Sequence, residues 1–221
     1  MTYLHTHPPM TLGRVDARAR WLLPMIAATF VGLALAVVLD HAPWDESIHR
    51  WVLEHRTPWR DTLARRVSWF GSTYVVLTVS GLAAALSWRR CPRLAAAIVL
   101  LALARPLSEF VLKELVDRPR PVGDRLVRGR GPSFPSGHPY ATAASWGVLP
   151  LVAALYVRRR AAWWAIAVLA WVLVVAVAAS RVWLGVHWAT DVVAGVLLAV
   201  LGVRAAEWLI GRLETWRHPR F

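Results

Sequence analysis

Six stretches of this chain are apolar over lengths that a membrane, not water, accommodates: residues 21–39, 67–87, 94–116, 138–157, 162–179 and 188–210. A run of about 18 or more apolar residues reads as a transmembrane helix, because a helix needs about 20 residues to cross the hydrocarbon layer. With 57% of 221 residues hydrophobic, too little polar surface remains to cover six such helices in water. Trp21, Trp69, Trp88, Trp163 and Trp208 fall near block ends, where indole rings favour the headgroup level. The expected fold is therefore all-α: a polytopic membrane protein with a six-transmembrane-helix bundle. Residues 1–20 read as an N-terminal segment, 21–210 as one membrane domain and 211–221 as a C-terminal tail. The first 20 residues are mostly polar and no small-residue cleavage site follows the first block, so no cleavable signal peptide is expected. The one cysteine, Cys91, allows no intrachain disulfide, and no Cys/His metal cluster is visible.

The net charge is +13, and its placement sets an orientation. Arg14, Arg18 and Arg20 precede the first block; Arg89, Arg90 and Arg93 lie between the second and third. Arg158, Arg159 and Arg160 lie between the fourth and fifth, and Arg212, Arg217 and Arg220 come late in the chain. Cytoplasmic loops carry the excess of arginine and lysine, which places these segments and both termini in the cytoplasm. Residues 40–66, 117–137 and 180–187 then face outward. Within the first of these, residues 45–55 form an amphipathic stretch expected to lie along the interface, as a packing helix or a lipid gate. The second, with Arg118, Arg120, Arg125, Arg128 and Arg130, keeps more positive charge than an outer loop should, which points to a bound anion.

Three clusters share that outer side. Lysine and arginine number 26, and a single one is lysine, Lys113, near the outer end of the third block. An ionisable group at membrane depth is a functional candidate. Lys113 precedes Arg120 by seven residues; if the helix ends near Asp117, ahead of Pro119, an ammonium and a guanidinium can share one oxyanion. Arg105, Glu109 and Lys113 form an i, i+4, i+8 ladder that reads as structural. The second cluster, Pro135-Ser136-Gly137-His138, opens the fourth block. Ser136 suits an N-cap, Gly137 allows close backbone approach, and a helix N-terminus attracts anions. In the third, Ser180-Arg181 is followed by His187 and Asp191, which lie four apart and would share a helical face. A carboxylate there can hold the Nδ1–H of the imidazole and leave Nε2 basic.

Together these residues resemble the type 2 phosphatidic acid phosphatase family of integral-membrane lipid phosphatases. The family's three signatures occur in full and in order: Lys113 with Arg120-Pro121, then Pro135-Ser136-Gly137-His138, then Ser180-Arg181 with His187 and Asp191. The likeness covers about residues 40–210; Pro139 stands where a small residue is expected. The resemblance implies a reaction without metal or cofactor, in which His187 attacks phosphorus, Asp191 orients it and His138 protonates the leaving group. It implies that Lys113, Arg120, Ser136, Gly137, Ser180 and Arg181 hold the phosphoryl oxygens. Phosphoryl transfer needs mainly positioning and charge stabilisation, which this residue set can supply.

The expected partners are a membrane lipid phosphate, the bilayer and water as phosphoryl acceptor, not nucleic acid. The expected setting is a bacterial plasma membrane with an extracytoplasmic site. Undecaprenyl diphosphate, phosphatidic acid and phosphatidylglycerol phosphate are the candidate substrates, with a lean towards the polyprenyl diphosphate. A lipid phosphotransferase using the same site and a non-catalytic lipid or anion transporter remain the alternatives.

Overall fold

A computed structural model of the chain describes residues 21–40 and 42–217. Arg14, Arg18, Arg20 and Arg220 lie outside the described residues. Those residues contain nine helices and no strand: α1 (Leu22–Val38), α2 (Pro43–Glu54), α3 (Pro58–Trp69), α4 (Thr73–Trp88), α5 (Pro92–Val116), α6 (Gly137–Trp146), α7 (Leu149–Ala154), α8 (Arg160–Trp183) and α9 (Ala189–Arg217).

Local chemistry sets several of these boundaries. Proline opens α2, α3 and α5, where its missing N–H costs nothing. α5 stops at Val116 because Asp117 turns left-handed (φ 41°) and Pro119 cannot donate to a further turn. The fourth apolar block is not one helix. Pro150 lacks the N–H that would bond back to Trp146, and the chain breaks over Gly147 and Val148 into α6 and α7. The second block also starts later than its apolarity suggests, since Phe70–Ser72 form a turn that separates α3 from α4 with a 41° bend.

Short α6 is the centre of the bundle, and Pro139 through Ser145 are all buried. It packs against α4, α5, α8 and α9. Its contacts are small-residue ones, with Ala143 and Ala144 against Val174 and Ala199. Small side chains let helices approach closely where lipid offers no hydrophobic drive to associate. Phe30 of α1 meets Phe134 and Ala194, tying α1 to α9. Large apolar side chains point outward instead: Leu103, Leu107 and Phe110 on α5, Leu169, Val172 and Val175 on α8.

Two helices, Pro92–Val116 and Arg160–Trp183, are long and apolar enough to cross a membrane by length and composition; counting the bent pairs α1–α2 and α3–α4 gives up to four among the described residues. The expected count of six single spans is not reproduced by this measure; the breaks at 70–72 and 147–148 divide two of the blocks that look continuous in hydropathy.

Candidate active site

The turn between α8 and α9 carries the third signature. Leu184 and Val186 are wholly buried and anchor it, and Gly185 takes the positive φ (71°) that the reversal requires. His187 therefore lies in a turn, not on a helical face shared with Asp191 as its spacing suggested. Its ring is buried, with Nδ1 2.9 Å from the Ser133 carbonyl and 3.4 Å from Asp191 Oδ2. A carbonyl only accepts, so Nδ1 carries the proton and Nε2 keeps its lone pair. Burial holds this imidazole down to about 4; Arg120 and Arg181 push the same way and Asp191 opposes them.

Asp191 is the third residue of α9 and accepts from the Trp188 backbone N–H through Oδ2 (2.9 Å), closing the helix start from inside. Its Oδ1 takes Arg118 Nη1 at 2.7 Å. Arg181 lies in the last turn of α8, is buried, and donates through Nη1 to Ser68 Oγ at 2.7 Å. Its Nε has no hydrogen-bond partner among the described residues.

The second signature meets the third through the main chain, where Ser136 N–H donates to the Asp191 carbonyl at 2.9 Å. Ser136 holds the N-cap position of α6, but its hydroxyl makes no cap bond. One reason is Pro139, which removes the N–H of the third helical residue, a usual partner of an N-cap hydroxyl. Ser136 Oγ is thus a buried donor with no hydrogen-bond partner among the described residues. Buried polar groups are nearly always satisfied, so this oxygen and Arg181 Nε are open to a further hydrogen-bond partner. His138 lies within electrostatic reach of His187, Arg181, Arg105 and Lys113. The α3–α4 turn backs it: a Cβ on Gly71 would stand 3.2 Å from His138 Cδ2.

The first signature is more constrained than its sequence implies. Arg120 donates to the carbonyls of Gly131 (2.9 Å), Arg130 (2.9 Å), Pro132 (3.1 Å) and Val186 (2.6 Å), with Nη1 3.1 Å from His187 Nε2. It clamps two loops together and leaves one edge at the imidazole; burial draws its guanidinium below the usual arginine range. The ladder on α5 forms as expected, with Glu109 between Arg105 Nη1 (2.6 Å) and Lys113 Nζ (3.2 Å). Its carboxylate occupies the space that a side chain on Gly137 would fill.

The geometry thus gathers His187, Asp191, Arg120, Ser136, Gly137, His138, Arg181 and Lys113 around one end of the bundle. Ser180 stands apart: its hydroxyl donates to Val177 O at 2.6 Å within its own helix. Ser68, Ser133, Asp45 and Thr190 were not foreseen as site partners, and Arg118, expected to serve a bound anion, is paired instead with Asp45 and Asp191. For Asp45 a signal existed, since it lies seven residues before Val52 on the buried face of α2.

A family model described as the PAP2 superfamily matches residues 93–213. Phosphatidylglycerophosphatase B of Bacillus subtilis (strain 168) is 30% identical over 166 residues, covering 71% of this chain and 78% of that protein. Phosphatidylglycerophosphatase B of Escherichia coli (strain K12) is 42% identical over 122 residues, 49% of this chain and 46% of that protein. Among solved structures, a transmembrane PAP2 type phosphatidylglycerolphosphate phosphatase from Bacillus subtilis superposes with a TM-score of 0.75 at 26% identity, covering 90% of this chain and 98% of that one. LpxE of Aquifex aeolicus shares the fold, with a TM-score of 0.55 at 19% identity, covering 71% of this chain and 91% of that one.

Proposed function

From the premise that the chain belongs to the PAP2 superfamily and is a phosphatase, we propose that it hydrolyses the phosphate monoester of a membrane glycerophospholipid through a phosphohistidine on His187. The observation that carries this reading is the placement of His187, buried, with Nδ1 bound to the Ser133 carbonyl and Nε2 3.1 Å from Arg120 Nη1. Phosphatidylglycerophosphate is the first substrate to test, since the relatives from Bacillus subtilis and Escherichia coli are phosphatidylglycerophosphatases.

In the proposed reaction Nε2 of His187 attacks phosphorus in line and the bond from phosphorus to the lipid oxygen breaks. His138, protonated beside the arriving dianion, gives its proton to that oxygen and the lipid alcohol leaves. Asp191 stabilises the positive charge that grows on the His187 ring. Water then attacks the phosphohistidine, His138 takes its proton, and inorganic phosphate departs. Lys113, Arg120, Arg181, Ser136 Oγ and the free N–H groups at the start of α6 hold the phosphoryl oxygens. These groups supply the charge stabilisation, so the reading needs no metal.

An extracytoplasmic site is part of the proposal. The site draws on the C-terminal ends of α5 and α8 and the N-terminal ends of α6 and α9. The arginine-rich turns lie together elsewhere, Arg90 Nη1 reaching the Leu155 carbonyl at 2.5 Å. The positive-inside rule assigns those turns to the cytoplasm.

Phosphate release is measured from phosphatidylglycerophosphate, phosphatidic acid and undecaprenyl diphosphate in detergent, with and without EDTA. Release insensitive to EDTA, fastest on phosphatidylglycerophosphate, is expected, together with loss of turnover in folded His187→Ala. Wild-type turnover in His187→Ala would end the reading.

A further inference from the structure

Helix α2 reaches into the site from the side. Asp45, in its first turn, is 2% exposed although most of α2 faces outward. Its Oδ1 accepts the Thr190 backbone N–H at 3.0 Å, and its Oδ2 accepts the Thr190 hydroxyl and Arg118 Nη2, the latter at 2.7 Å. Arg118 turns its other nitrogen to Thr190 Oγ1 (2.6 Å) and Asp191 Oδ1 (2.7 Å), and its guanidinium lies over the Trp188 ring. Three charges are thus linked in series, Asp45–Arg118–Asp191, with His187 at the far end. The carboxylates are almost wholly buried and Arg118 is 13% exposed. A buried ion series is an expensive way to hold a fold together, since apolar packing often serves as well. What it supplies here is a fixed direction and a net charge of minus one behind the imidazole.

We propose that Asp45 and Arg118 are positioning residues for the phosphatase reaction, aligning Asp191 and setting the net negative charge that stabilises the imidazolium of His187 as phosphorus is attacked. The inference rests on the reading of His187 as the nucleophile. The groups facing His187 are Asp191 from α9, Arg120 from the 117–136 loop, Arg181 from α8 and His138 from α6. Those facing Asp191 are His187, Arg118 and Arg120. None of the other groups bridges Asp191 to a second carboxylate among the described residues, so the charge behind Asp191 is set by this pair.

The two halves of the device have opposite electrostatic signs. Asp45→Asn takes the series from minus one to zero. The imidazolium is then less stabilised, His187 takes its proton at lower pH, and the acid limb of kcat/KM moves down. Arg118→Gln takes the series to minus two and moves that limb up. Each shift is on the order of one pH unit, as expected for one charge at this range in a protein interior. In both variants kcat falls roughly ten- to hundredfold, because misplacing an oriented group costs rate even when substrate still binds. The ionisation of the substrate is common to all variants and cancels in the comparison.

The test uses the full chain in detergent, with phosphatidylglycerophosphate and pH profiles for wild type, Asp45→Asn, Arg118→Gln, Arg118→Lys and Glu46→Gln. Glu46 is the exposed neighbour of Asp45 and its variant is expected to follow the wild-type curve. Arg118→Lys keeps the charge but cannot span both carboxylates, so kcat falls while the limb stays in place. Opposed limb displacements in Asp45→Asn and Arg118→Gln support the proposal. Superimposable limbs, or displacements of the same sign, overturn it. If either neutral variant cannot be isolated folded, wild-type kcat in Arg118→Lys overturns it alone. An active His187→Ala would instead overturn the underlying mechanism.

Discussion

Ser68→Ala is the sharpest single test of how the phosphate site is held. Ser68 lies on α3, 113 residues from Arg181, and both side chains are buried. Its hydroxyl receives Arg181 Nη1 at 2.7 Å, while the Nε of the same guanidinium has no hydrogen-bond partner among the described residues. The hydroxyl therefore fixes one edge of the fork and leaves another open to the phosphate of the proposed reaction. A hydrogen bond to a charged donor contributes about 1.5–3 kcal/mol, and its loss here would leave a second buried guanidinium N–H unsatisfied. If that energy aims Arg181 in the transition state, kcat/KM falls about ten- to hundredfold, at about 1.4 kcal/mol per factor of ten. Phosphate release from a short-chain phosphatidylglycerophosphate in micelles gives the rate. Inhibition by vanadate, which adopts the five-coordinate geometry of phosphoryl transfer, should weaken in parallel. A folded Ser68→Ala protein with wild-type kcat/KM and wild-type vanadate inhibition would refute the reasoning.

His138→Ala is expected to lower turnover at least a hundredfold without loss of the folded bundle, read by phosphate release and thermal unfolding, as befits a proton donor. Gly137→Ala would push a methyl group into the Glu109 carboxylate, so KM should rise several-fold with a smaller change in kcat. Ser180→Ala removes a hydroxyl committed to Val177 O, and kcat/KM should stay within about threefold of wild type, since such a bond within one helix adds little. Burial holds His187 near 4, so protonation switches off Nε2 only as the pH falls through that value, not through the 6.5 of a free imidazole. Histidine-selective 15N NMR, with His187→Gln to identify the signal, should show the ring neutral at pH 5.5, and a midpoint above 6 would contradict this.

The legible part of the site was the part whose chemistry is rare in an apolar chain. Lys113, His138, His187 and Asp191 stand out because a titratable group in such a setting has few structural uses. Ser68 and Ser133 could not be read, because each acquires its partner only by packing against elements far away in sequence; for Asp45 the spacing to Val52 marks the buried face of α2, but its partners Thr190 and Arg118 come from distant segments. Arg120 shows the opposite case: its position was foreseen, but its commitment to four carbonyls depends on how the 130–132 loop folds back. The same division holds for the fold. The apolar blocks at 94–116 and 162–179 became α5 and α8 almost unchanged. The breaks at 70–72 and 147–148 had local signals in Gly71 and in Gly147 with Pro150, but unbroken hydropathy concealed them. α3 escaped notice because Arg60, Asp61, Arg65 and Arg66 interrupt any apolar periodicity.

The bond from Ser136 N–H to the Asp191 carbonyl is made entirely by backbone atoms, so no replacement short of proline at position 136 removes either of them. The seam between the second and third signatures should therefore survive the loss of either histidine. A chemically silenced enzyme of this kind makes a natural trap. Lipid extracted from purified His187→Ala and weighed by mass spectrometry would reveal which headgroup the cell itself had loaded.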